Sequence, residues 1–192
     1  MKIDDAIRSF GMSAMMIESE MRQLERSLDV NLGHRDRQKE AIDQAYYPQF
    51  SERLREEAAR MTTHYAIFYC LENTIRSLIA ERLKDVGGAT WWDQCVPEVV
   101  RKNAEANRKK ELQTGVTPRS DDLIDYTNFG ELGEIIKANW ATFDMFSEQR
   151  AVERVLNNLN TLRAPIAHCK ALADDEVMRL HLSLRDWFRL ME

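Results

Sequence analysis

The residues best suited to chemistry in this chain are Arg163 and His168, five positions apart with Pro165 between them. Histidine takes up and releases protons near neutral pH, and arginine grips a phosphate through two parallel hydrogen bonds. Together these side chains can activate a ribose 2′-OH, or protonate the leaving oxygen, and stabilise a pentavalent phosphate without a metal. Because such a reaction requires the 2′-OH, its substrate would be RNA.

The spacing of this pair is by itself only a weak indication of a catalytic site. The chain holds 19 arginines and four histidines, so a match of this type arises about once by chance. The proline between them adds weight, because it cannot donate to the Thr161 carbonyl and costs about 3 kcal/mol inside a helix. On an unbroken helix Arg163 and His168 would point about 140° apart. A kink or a helix end at Pro165 would let both serve one site.

Helical phase places Arg163 and Glu72 where apolar residues are expected. At about 100° per residue, Arg163 falls inside an apolar stripe formed by Val152, Val155, Leu156, Leu159, Leu162 and Ile166. On an earlier helix Glu72 lies in the middle of a second stripe, and Arg76 lies at its edge. A buried charge needs a partner. We therefore expect a Glu72–Arg163 or a Glu72–Arg76 contact, which is either part of a functional site or a plain interhelical salt bridge.

Asn139 is a further polar residue on an apolar face. It falls between Leu132, Ile135 and Ile136 on its helix, so its side chain is expected to point inward. Such an asparagine either supports a site or bonds a neighbouring carbonyl, and the second role is the commoner one.

The remaining periodicity predicts an all-α helical bundle with additional N-terminal helices. We expect helices over about 50–86, 97–113, 132–140, 147–163 and after residue 175, with no strand-like alternation. Gly87 and Gly88 end the first of these. Its apolar face would hold Met61, Tyr65, Phe68, Ile75, Ile79, Leu83 and Val86. We place the bundle at residues 58–192 and an N-terminal helical arm at residues 1–57.

The arm has the most regular pattern in the sequence. A strict heptad stripe comprises Ile3, Ile7, Phe10, Ala14, Ile17, Met21, Leu24 and Leu28. Two interpretations fit this pattern. The arm packs along its own domain, or it forms a seam between two chains.

Composition and charge narrow the function classes. The net charge of −5 argues against general nucleic-acid binding but leaves room for a local basic groove. No apolar run is long enough for a membrane span and no signal-peptide pattern opens the chain, so we expect a cytoplasmic protein with no membrane association. The three cysteines show no metal-ligand spacing, and no cofactor or metal is expected.

The chain resembles the HEPN superfamily over roughly residues 58–191. The resemblance rests on Tyr65-x6-Glu72-x3-Arg76, Trp91-Trp92-x4-Pro97, Asn139-Trp140 and Arg163-x-Pro165-x2-His168 followed by a final helix. It implies a metal-independent endoribonuclease that acts as a homodimer, in a toxin–antitoxin or antiviral setting with a cognate antitoxin or defence-system protein as partner. It also implies that Arg163 and His168 are catalytic, with Glu72, Arg76 and Asn139 in support.

The sequence departs from the family pattern directly after Arg163. Ala164 stands where the family usually has a polar residue, often asparagine. The alternative function is therefore a catalytically silent HEPN domain that binds RNA or a protein and dimerises. A third interpretation is a helical adaptor that uses the heptad arm.

Two other features are candidates for nucleic-acid contact. The helix over 97–113 carries five basic residues, but interleaved glutamates favour a solvated salt-bridged face. Trp91 and Trp92 could stack bases, although a packing role is commoner for tryptophan in a compact domain.

Overall fold

The computed structural model describes residues 47–191 and, before them, residues 14, 16–18, 20, 21, 23, 24, 27 and 28, which are helical. Contacts divide the chain into two units, Met1–Glu56 and Glu57–Glu192. Within the described residues every regular element is a helix and none is a strand, so the all-α prediction is confirmed. None of the described helices is long and apolar enough to cross a membrane.

The heptad stripe of the arm is described only in part. Ile17, Leu24 and Leu28 lie on helical residues and are exposed. The other three members of the stripe, Ile3, Ile7 and Phe10, lie outside the described residues.

Helix α1 spans Glu52–Gly87 and supplies one wall of the core. Its inward face repeats every three or four residues through Phe68, Leu71, Ile75, Ile79 and Leu83. Two members of the predicted apolar face, Tyr65 and Val86, are exposed instead. The fully buried stripe begins at Phe68, while Met61 is partly buried and packs against the core as predicted.

A glycine pair ends α1, as the sequence predicts. Gly88 has a φ of +58°, a conformation that glycine adopts without steric cost. A short 3₁₀ helix at Gly88–Thr90 leads into α2 (Trp91–Cys95). Trp91 is buried and Trp92 half-buried, with their rings 5.5 Å apart edge to face. Both tryptophans therefore act as packing residues in this structure.

Helix α3 (Glu98–Gln113) packs against a 3₁₀ helix at Leu123–Tyr126. Asn107 Nδ2 donates to the Tyr126 carbonyl at 3.1 Å, which fixes the 3₁₀ helix beside α3. The basic residues of α3 face largely outward, and Lys102 pairs with Glu98 at 2.6 Å. The salt-bridged surface is thus the better description of this helix.

The last three helices complete the bundle. They are α4 (Phe129–Ala138), α5 (Gln149–Ala167) and α6 (Asp174–Arg189), and α5 packs against both of the others. Asn128 and Glu131 form a capping box at the start of α4, each side chain bonding the other's backbone amide. The core between these helices is closed by fully buried side chains, including Leu132, Ile135, Phe143, Leu159, Leu180 and Trp187.

Candidate functional site

Glu72 on α1 is the centre of a charged cluster. Its Oε2 accepts a hydrogen bond from Arg163 Nε at 2.9 Å, and its Oε1 accepts one from Arg76 Nη2. The Glu72 side chain is only 12% exposed. Both contacts expected from helical phase are therefore present, and one carboxylate joins α1 to α5.

Arg76 is held from two directions. Its Nη2 also donates to the Thr127 carbonyl at 2.9 Å, just before α4 begins. Its Nε is buried without a hydrogen-bond partner. Because one guanidinium group is tied to both Glu72 and the backbone, Arg76 is a rigid source of positive charge rather than a mobile one.

Arg163 is the more open of the two arginines. Its side chain is 32% exposed, against 14% for Arg76. Its described hydrogen bond uses Nε, and no residue of the described part of the chain bonds its two terminal nitrogens. Those nitrogens are the pair that grips a phosphate or carboxylate side by side. Glu72 thus orients Arg163 while leaving its anion-binding edge unoccupied.

Arg163 also lines a cavity of about 420 Å³ between α1, the end of α5 and the loop before α4. The charged residues that line it are Glu72, Arg76, Arg119, Asp125 and Arg163. Three arginines against two acidic residues leave the cavity with an excess of positive charge. It is therefore suited to an anion, although the whole chain is negatively charged.

Arg119 reaches the cavity from the loop after α3. Its Nε and its backbone amide donate to the Glu111 carboxylate at 2.7 and 2.6 Å, and its guanidinium lies 5.0 Å from the centre of the Tyr126 ring. Tyr126 in turn donates from its hydroxyl to the Ser120 carbonyl at 2.9 Å. The hydrogen bonds from Arg119 lower the pKa of the Glu111 carboxyl. These contacts fix the loop in a position where Arg119 lines the cavity.

His168 lies just beyond α5 and does not line the cavity. It is exposed, and no residue in the described part of the chain bonds its imidazole. Its backbone amide donates to the Ala164 and Pro165 carbonyls, each at 3.1 Å. No hydrogen bond joins the Arg163 and His168 side chains in the described part of the chain, and only Arg163 lines the cavity.

The helix does not end at Pro165, since α5 continues through it to Ala167. The helix ends in a Schellman motif, in which Lys170 N bonds the Pro165 carbonyl at 2.8 Å and Cys169 N bonds the Ile166 carbonyl at 3.1 Å. Cys169 occupies the left-handed position with a φ of 54°. Pro165 leaves the Thr161 carbonyl without the N–H donor that an α-helix would supply at this position.

A family model described as Swt1-like HEPN matches residues 66–192, about two thirds of the chain. The chain belongs to this HEPN family. The match includes Glu72, Arg76, Asn139, Arg163 and His168, so the resemblance to the HEPN superfamily is confirmed. Comparison with curated proteins and with solved structures gives no match.

Asn139 lies apart from the arginine cavity of this HEPN domain. Its Nδ2 donates to the Cys95 carbonyl at 2.8 Å and to the Ile135 carbonyl at 2.9 Å. It thereby joins the end of α4 to the end of α2, and the Ile135 carbonyl also accepts the Asn139 backbone amide at 3.2 Å. The structure gives it this anchoring position and does not bring it to Arg163.

Sequence reasoning missed several residues that line the cavity of the HEPN domain. These are Tyr69, Asn73, Arg119 and Asp125. Tyr65 also lines the cavity, although the sequence placed it on the buried face of α1. Tyr65, Tyr69 and Asn73 recur every four residues and precede Arg76, so a second face of α1 was visible in the sequence. Arg119 carried no such signal, because its position depends on the fold of a loop.

Proposed function

We propose that this HEPN domain is an endoribonuclease whose Arg163 binds the scissile phosphate. The observation that carries the proposal is the Arg163 guanidinium, which Glu72 binds through Nε and which lines a cavity together with two other arginines. HEPN domains are often ribonucleases, which supports the same activity. Arg76 and Arg119 supply further positive charge for a polyanion.

The reaction that fits these residues is attack of the ribose 2′-oxygen on the adjacent phosphorus. The 2′-OH loses its proton, the bond from phosphorus to the 5′-oxygen breaks, and the leaving oxygen takes up a proton. The products are a 2′,3′-cyclic phosphate and a 5′-hydroxyl end. His168 would carry the proton, and Arg163 would stabilise the charge that develops on the pentavalent phosphate.

The site we propose is built from two copies of the chain. His168 is exposed at the end of α5 and does not line the cavity of its own chain. A second copy placed over this end of the bundle would bring its His168 toward the first copy's Arg163. This arrangement supports a homodimer in which each cavity is completed by the partner.

One observation favours a second candidate function, RNA binding without cleavage. Ala164 offers only a methyl group beside Arg163, and no described residue orients the His168 imidazole. A domain of that kind would keep the arginine cavity and the homodimer but would not cut the bound strand.

The deciding experiment is RNA cleavage in the presence of EDTA. We expect wild-type protein to leave 2′,3′-cyclic ends and His168→Ala to be slower by about 10²- to 10⁴-fold. His181→Ala is the matched control, because His181 is an exposed histidine on α6 and should leave the rate unchanged. Undiminished cleavage by His168→Ala would overturn the role of His168. Binding without any cleavage by wild type would establish the second candidate.

We place this activity in a toxin–antitoxin or antiviral setting, with a cognate antitoxin or defence-system protein as partner. The resemblance to HEPN proteins of such systems supports it. Expression of the wild-type chain should then arrest growth of a host cell, and His168→Ala should not. Equal growth of both, with the two proteins at equal levels, would count against a toxin.

A further inference from the structure

Tyr65 and Tyr69 form an exposed aromatic pair on α1. They are four residues apart, so they stand one above the other on the same helix face. Each is 61% exposed, and their ring centres lie 6.2 Å apart with the planes tilted by 35°. Two neighbouring tyrosine rings are thus left open to solvent beside a helix face that buries Phe68 and Leu71.

Both rings line the same cavity as the arginines. Tyr69 precedes Glu72 by three residues, about 4.5 Å along the helix axis. Glu72 in turn binds Arg163. An anion bound to Arg163 therefore lies within the reach of one nucleotide from the tyrosine rings. The cavity is lined by both cationic and aromatic side chains.

We propose that Tyr65 and Tyr69 form a nucleobase-stacking subsite for the nucleotide next to the phosphate held by Arg163. Aromatic side chains beside a positively charged groove are the common means of holding single-stranded nucleic acid. A base can stack on these rings only when it is unpaired and turned out of a helix. The subsite therefore selects single-stranded segments and fixes which phosphate meets Arg163. This inference rests on the proposed RNA-binding role of the cavity.

The chemistry of the pair favours a base over other occupants. A phosphate or carboxylate would be drawn to the arginines, which leaves the rings to contact a flat, weakly polar group. The tyrosine hydroxyls have no hydrogen-bond partner within the described residues. Stacking requires only the ring faces, so it predicts that the hydroxyls are dispensable.

The test measures binding of two fluorescein-labelled probes by anisotropy, with His168→Ala as the parent protein so that the strand stays intact. One probe is a uridine decamer, and the other is an abasic ribose-phosphate decamer of equal charge. The variants Tyr65→Ser and Tyr69→Ser should each weaken uridine binding by about tenfold and leave abasic binding within twofold. Tyr65→Phe and Tyr69→Phe should bind both probes like the parent protein.

Phe188→Ser is the matched control, because Phe188 is an exposed aromatic residue on α6 that does not line the cavity. It should change neither affinity. Thermal unfolding of each serine variant checks that the fold is intact, which both exposed positions should allow.

Three outcomes would overturn the subsite. Serine variants could bind the uridine probe like the parent, they could lose the abasic probe equally, or the phenylalanine variants could lose affinity as the serine variants do. A dimer lost in Tyr65→Ser, with RNA binding unchanged, would instead make these rings a contact between copies. Failure of the proposed function would give a different result. If the uridine probe binds through its bases but wild-type protein never cleaves RNA, the stacking subsite stands and the proposed nuclease activity is contradicted.

Discussion

Arg163 Nε donates to Glu72 Oε2 at 2.9 Å and joins two helices whose contacting residues are 91 positions apart in sequence. Glu72 is also bound by Arg76, so a single carboxylate positions two cations. The arrangement is asymmetric, since Arg76 is also tied to the backbone of Thr127, while no described residue bonds the terminal nitrogens of Arg163. The fold therefore holds Arg76 from two sides and leaves Arg163 more exposed, at 32% against 14%.

Replacing Glu72 with glutamine should weaken both folding and RNA binding. The change removes the charge that two largely buried guanidinium groups share, so the free energy of unfolding should fall by about 2 kcal/mol. RNA affinity should fall as well, because Arg163 loses its fixed orientation. Urea unfolding and anisotropy measure the two effects.

The matched control for this change is Glu98→Gln. Glu98 forms the same type of pair, four residues before Lys102, but both side chains are about 70% exposed. Its loss should lower the free energy of unfolding by less than about 0.5 kcal/mol. Equal effects at Glu72 and Glu98 would show that the Glu72 cluster adds nothing beyond a surface ion pair.

The Glu111–Arg119 link should make the stability of the domain depend on acid pH. Arg119 lowers the pKa of Glu111 below its ordinary value of 4.5. A group of this kind contributes stability that is fully present above its unfolded pKa and is lost as pH falls through the lower folded pKa. Wild type should therefore be more stable than Glu111→Gln at pH 6, and the difference should vanish toward pH 3.

Urea unfolding of both proteins at several pH values between 3 and 6 checks this dependence. The same link positions Arg119 at the cavity, so Glu111→Gln should also weaken RNA binding at pH 6. A stability difference that grows as the pH falls would contradict the assigned direction.

Cys169→Gly should stabilise the protein. Cys169 has a φ of 54° at the end of α5, where a side chain is strained and glycine is preferred. The gain in the free energy of unfolding should be about 1 kcal/mol. Cys70→Gly supplies the contrast, because Cys70 is an exposed cysteine inside α1 and glycine weakens a helix interior. If Cys169→Gly and Cys70→Gly both stabilise the protein, or if neither does, the backbone conformation of Cys169 is not the cause.

The sequence predicted the Glu72 cluster because helical periodicity is a local property. A charged residue inside an apolar stripe must find a partner, and both stripes lay on long helices whose phase is reliable. The same reasoning was wrong for Tyr65, since it assumed that the stripe continues wherever apolar residues recur. In the structure the buried face of α1 starts at Phe68, and Tyr65 borders the cavity.

Arg119 and Pro165 show why the rest of the site was not predicted. The position of Arg119 depends on Glu111, on the Tyr126 ring and on the fold of the loop between them, none of which periodicity encodes. For Pro165 the sequence predicted a kink or a helix end, because proline disrupts a helix interior. In the structure α5 continues for two residues beyond it, to Ala167.

Mixing two inactive variants tests whether Arg163 and His168 act from different chains. In the proposed dimer, a mixed pair of Arg163→Ala and His168→Ala chains contains one intact site, with Arg163 from one copy and His168 from the other. Random exchange should then restore about a quarter of wild-type cleavage, since half of the dimers are mixed and each has one working site of two. Each variant alone should be inactive, and sedimentation should show that the mixture is dimeric. No recovery in a mixture proven to exchange subunits would place both residues in one chain's site and would require His168 to move toward its own cavity.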